Sequence, residues 1–139
     1  MATRSMIYKE QQDGTLKGIY CHWDGYLEYN GSILLEHYSD PDKLEKLLAL
    51  GDISSLGADI KGVKDDTVTI AYHRDFGEKF SPNDIITPEE QKEGEHKFVN
   101  VDYVYIQDKN GIWHVNRKDG DKYFNGVAFK KVTQEMVEG

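Results

Sequence analysis

The sequence predicts an α+β fold: an antiparallel β-sheet with two helices inserted after the second strand, in a single domain spanning residues 1–139. Three observations predict it. Short stretches at 4–10, 16–24, 67–73 and 98–118 alternate apolar and polar residues and are bounded by turn residues. The leucine-rich stretch from Asn30 to Gly51 switches to helical spacing. No repeat, low-complexity tract or internal linker divides the chain.

Residues 4–10 read as the first strand, and Gln12-Asp13-Gly14-Thr15 as a turn that returns residues 16–24 as the second. On that second strand Ile19, Cys21 and Trp23 would share a core face, and Tyr20, His22 and Asp24 the opposite one. Asn30-Gly31-Ser32 offers capping chemistry ahead of a helix carrying Ile33, Leu34, Leu35 and His37. Ser39-Asp40-Pro41-Asp42 starts a second helix, with Leu44, Leu47 and Leu48 on one side and Gly51 as its stop. Residues 52–65 read as a loop with a short helical or extended turn at Ile53–Leu56. Thr67–His73 alternates as a strand, followed by a charged surface excursion over 77–97 in which Pro88-Glu89-Glu90-Gln91 fits one helical turn. Phe98–Gln107 and Ile112–Lys118 form a hairpin about Asp108-Lys109-Asn110-Gly111. A four-residue loop there would set Ile106 opposite Trp113 and Val104 opposite Val115. Asp119-Gly120-Asp121 then turns the chain into a last strand, Tyr123–Val132.

The 25 acids outnumber the 17 bases, for a net charge of -8. That balance opposes direct nucleic-acid binding, which needs Lys and Arg on phosphates. It opposes an anionic membrane equally and favours a basic protein partner. The single cysteine rules out an intramolecular disulfide and fits a reducing cytoplasm. No signal-peptide pattern or membrane-length apolar run is visible, so a cytosolic protein is expected.

Imidazole, thiol, indole, carboxylate and two phenols fall within Tyr20–Tyr26. A metal reading takes Cys21, His22, His37 and His73 as ligands, from a wider set that includes Asp24 and Asp75. Cys21 and His22 could share an ion only where the strand loses its alternation; otherwise His22 would act with Asp24. A bond from Asp75 would orient the His22 ring. The competing reading is a buried, apolar Cys21 with hydrogen-bonded or exposed histidines. As a nucleophile, Cys21 would have its neighbour His22 pointing the other way, and no Gly-rich nucleophile turn is present, so no enzyme is expected. Nine tyrosines suit a protein interface as well as a sheet core. Arg74, Asp75 and Glu78 read as an ion-pair corner pinning the turn after the strand.

Met1-Ala2-Thr3-Arg4-Ser5, the run Ile19–Tyr26, Ile33–Tyr38, Leu50–Leu56 and Tyr72–Glu78 together resemble a family of small phage and prophage proteins. Some proteins of this kind are similar to type II anti-CRISPR inhibitors. The resemblance implies a non-enzymatic inhibitor in the host cytoplasm. It would bind a basic surface of the RNA-guided DNA nuclease and block nucleic-acid loading. It also implies a structural zinc tying His37 to Cys21 or His22 and His73. The alternative is a small metal-dependent hydrolase, or a nucleotide-binding protein, that removes or sequesters a bacterial defence signal. The face that meets the partner, and the oligomeric state, are not readable from the residues.

Overall fold

The computed structural model describes residues 3–61, 67–88, 101–117 and 130–138. Ser5–Glu10 (β1) and Leu16–Cys21 (β2) pair antiparallel, with Ile7 opposite Ile19. The turn between them is closed by Gly14 at φ 87° and by the Asp13 carboxylate, which accepts from both the amide and the hydroxyl of Thr15. A π-helical turn, Leu27–Gly31, leads into Ser32–His37 (α1) and Pro41–Leu48 (α2). The two helices therefore lie where the sequence places them.

Asp40 caps α2 by accepting from the Asp42 amide at 3.0 Å, and Pro41 takes the first helical position. Gly51, at φ 78°, ends the segment. The chain continues through Ile53–Ser55 (β3), Ile70–Ala71 (β4), Tyr72–Phe76 (α3) and Asp84–Ile86 (β5). Tyr103–Gln107 (β6), Trp113–Arg117 (β7), Lys130–Lys131 (β8) and Gln134–Glu138 (α4) complete the described elements.

All eight strands join one sheet in the order β4-β3-β2-β1-β6-β7-β8, with β5 on β2. The fold class is α+β as expected, but the sheet is mixed, not purely antiparallel: β1 runs parallel to β6, and β2 parallel to β3. The long segments between these partners, α1 and α2 among them, provide the crossovers that parallel pairing requires.

Alternation along β1 and β2 feeds two cores. Ile7, Ile19, Cys21, Ile53 and Ala71 pack with Leu34, Leu44, Leu47 and Leu48 of the helices. Tyr8, Leu16, Ile86, Val101 and Val104 form the second cluster. Truncating one of the buried leucines to Ala would cost about 2–5 kcal/mol.

Three expectations need correction. Thr67–His73 is not one strand: only Ile70–Ala71 pairs, and α3 begins at Tyr72, because the Asp75 carboxylate accepts from the Ala71 amide and draws the chain into a turn. The second strand stops at Cys21, well short of Asp24. The hairpin register is shifted by one residue, with Gln107 opposite Trp113 and Tyr105 opposite Val115. Asp108 makes the loop longer, since its carboxylate accepts from the Asn110 and Ile112 amides and its own amide donates to Ile112 O. Residues 89–91 of the expected helical turn, the start of the hairpin at 98–100, the turn at 119–121 and most of the last strand, 123–129, fall outside the described residues.

Candidate functional site

The loop after β2 carries the aromatic run, and it is held on every side. Asp24 sits at φ 59°, left-handed backbone that a non-glycine residue adopts at a cost. The His22 and Trp23 amides donate to Ile53 O and Ser54 O on β3. The Gly25 amide donates to Thr3 O at 2.8 Å, and the buried Tyr105 hydroxyl donates to Gly25 O at 2.6 Å. A Cβ on Gly25 would lie 2.9 Å from Ser5 Cβ and from Thr3 O, so this position requires glycine.

Asn30 completes the clamp from below. It is fully buried, and its amide nitrogen reaches Trp23 O at 3.3 Å, Cys21 Sγ at 3.4 Å and Ser5 Oγ at 3.4 Å. Its backbone amide donates to Asp24 O. The capping role read from Asn30-Gly31-Ser32 is therefore not the one it plays: α1 has no side-chain cap, and Asn30 is a core group that fixes the loop.

This framework presents Trp23 at 44% and Tyr26 at 36% exposure. Trp23 stands edge-on to the His22 ring at 4.7 Å, and Tyr26 leans on Tyr29 at 6.2 Å. Strict alternation would have put Trp23 in the core beside Cys21. The Asp24-Gly25 dipeptide, a turn signal, is what could have shown that the strand ends before it.

The four residues of the metal reading do not come together. Cys21 is fully buried in the helix-side core, where burial pushes its thiol up to about 11 despite the Asn30 and Trp23 contacts. A metal-bound cysteine needs the thiolate, which this setting disfavours. His22 lies on the other side of the strand, its Nδ1 2.8 Å from the Tyr20 hydroxyl. His37 is exposed at the end of α1, 3.8 Å from the Glu36 carboxylate. His73 belongs to α3, with Nδ1 2.7 Å from Glu78 O and its ring edge-on to Phe80. Among the described residues no group of three or more His, Cys, Asp or Glu is placed to hold a metal ion. This arrangement does not fit a tetrahedral zinc.

Asp75 does not orient His22. It accepts from Ala71 at 2.7 Å and pairs with Arg74 at 3.0 Å. Arg74 also donates to Ile60 O and Thr69 O, so the Arg74–Asp75 pair pins the chain around β4 as expected, and Glu78 contributes its backbone carbonyl to His73.

No family model, curated protein or solved structure matches the chain. Among the described residues no helix is long and apolar enough to cross a membrane.

Proposed function

We propose that this chain is a non-enzymatic inhibitor of phage or mobile-element origin that docks on the Lys- and Arg-rich surface of a type II RNA-guided DNA nuclease and obstructs nucleic-acid loading. One observation carries the docking part of the reading. From Gly18 to Asp42 the chain contains Asp24, Glu28, Glu36, Asp40 and Asp42 and no Lys or Arg, and all but Asp24 are exposed. Exposed acids of this kind, on a chain of net charge -8, attract an oppositely charged partner over a Debye length and repel nucleic acid. A nuclease channel lined with bases to hold phosphate backbones is a partner of that kind. The choice of nuclease rests on the resemblance of the Ile19–Tyr26, Ile33–Tyr38 and Tyr72–Glu78 segments described above.

The experiment is a binding titration of the purified chain against the guide-free nuclease over a range of salt, with DNA cleavage measured in parallel. Binding that blocks guide or DNA loading, and that weakens steeply as salt rises, is expected. Reversing Glu36 and Asp42 to Lys should slow association and flatten the salt dependence. Salt-independent affinity would remove the charge mechanism. Turnover of nucleotides by the purified protein on addition of divalent metal, with the nuclease unaffected, would replace the reading with a metal-dependent hydrolase acting on a defence signal.

A further inference from the structure

We infer that Trp23 and Tyr26 form a prebuilt anchor that seats against Lys or Arg side chains of the basic protein partner; the inference rests on the docking reading above. The loop that presents them is fixed by hydrogen bonds to four other parts of the chain. Its carbonyls at Trp23 and Gly25 are held by Asn30 and Tyr105, its amides at Trp23 and Gly25 by Ser54 and Thr3, and Asp24 is kept in left-handed backbone. Such strain persists only where the surroundings over-determine it, and it concentrates at functional sites. What these contacts hold outward is an indole and a phenol, the side chains that dominate protein-interface energetics. Because the backbone is already ordered, little further entropy is lost on association.

The charge of the loop selects the occupant. Asp24 lies between the two aromatics in sequence and the exposed Glu28 follows them. Cations are drawn to indole and phenol faces, more strongly with carboxylates nearby, whereas phosphates are repelled. Arg4 is the counter-charge to reckon with; its guanidinium acts on the Tyr20 phenol of β2, whose own shift is upward through burial. The acidic surface would thus set the approach, and this loop would set the residence time.

The test uses full-length protein. Trp23→Ala and Tyr26→Ala should each weaken affinity for the guide-free nuclease by about tenfold or more, with the salt dependence of binding unchanged. Trp23→Phe should keep most of the affinity. Unchanged melting temperatures would show that the variants fold. If the wild-type chain binds and Trp23→Ala binds equally well, the anchor is elsewhere while the docking reading stands. If the wild-type chain does not bind, both fall. Trp113 is buried, so fluorescence quenching reports on Trp23; saturable quenching by a single-stranded oligonucleotide, absent in Trp23→Phe, would make nucleic acid the occupant and overturn the inference.

Discussion

At the scale of single residues, the side chain on which the candidate site depends is neither aromatic nor charged. Asn30 is the buried donor beneath the loop, its amide nitrogen within reach of the Trp23 carbonyl, the Cys21 thiol and the Ser5 hydroxyl. Losing a hydrogen bond of this kind costs about 0.5–1.5 kcal/mol. Asn30→Ala should therefore lower stability by about that amount, read as a shift in the urea midpoint at constant slope. Asn30→Asp should cost more, because it puts an ionisable carboxyl at a fully buried position. A change of less than about 0.5 kcal/mol on Asn30→Ala, the range typical of surface substitutions, would show that the clamp contributes nothing. Gln107 plays a similar part elsewhere: fully buried, it donates to Tyr38 O and Ser39 O and so ties the joint between α1 and α2 to the hairpin, beside the Trp113 indole that also donates to Tyr38 O. Neither amide announces this role in sequence, because a polar residue is normally read as exposed until its partners are known.

At the scale of elements, legibility followed the range of the interaction. The α1 and α2 helices, the β1–β2 hairpin and the existence of β6 and β7 were readable, since Pro41, Gly51, the leucine spacing and the Asp-Gly and Asn-Gly turns act within a few residues. What was not readable was set by contacts across the chain. The parallel β1–β6 pair, the early end of β2 and the diversion of β4 into α3 depend on partners distant in sequence or on a single carboxylate. The hairpin shift shows how small the cause can be. A four-residue and a five-residue loop have equal local appeal at Asp108-Lys109-Asn110-Gly111-Ile112, yet they place opposite side chains on a given face. Asp108 decides it by accepting from two amides of the loop and from His114 Nε2 at 2.8 Å. Burial, the largest single influence, raises the Asp108 carboxyl, but the His114 bond and charge and the two amides together outweigh it, so its pKa lies below the usual 3.8. The sign follows from that direction. A depressed folded value means the contribution is complete above the unfolded pKa and is lost as pH falls through the folded one. Stability should therefore decline below about pH 4. In Asp108→Asn that acid-side decline should be smaller, and stability at neutral pH lower. Urea midpoints for both proteins from neutral pH to about pH 2.5 would check this; parallel curves would show that Asp108 has no part in it.

At the scale of the whole molecule, the sheet is joined by a pairing between strands far apart in the chain. β1 sits between β2 and β6, and its register with β6 joins Ser5 to Tyr103 and Lys9 to Gln107. Ile7, buried on the helix side, and Tyr8, buried on the other, each lose neighbours if β6 is absent: Tyr105 from the first core and Val104 from the second. The candidate site has the same dependence, since the Tyr105 hydroxyl holds Gly25 O and the Asp102 carboxylate accepts from the Arg4 amide. The chain up to Pro88 contains the aromatic loop, both long helices and five of the eight described strands, and by local criteria it looks self-sufficient. It should not be. A chain ending at Pro88 would leave β1 as an open edge and uncover both faces of its central strand, at about 1.5–3 kcal/mol for each large apolar side chain returned to water. It would also remove Trp113, Val115, Val132 and Val137 from the helix-side core. Against a total stability of about 5–15 kcal/mol for a domain of this kind, that loss is too large to survive. The truncated chain should show no cooperative unfolding transition and poorly dispersed amide resonances. Adding the segment from residue 89 to 139 as a separate peptide should restore both, because the interface between the halves is a core cut in two. A folded, cooperative 1–88 fragment would mean that the β1–β6 pairing is an accessory to the fold and not its keystone.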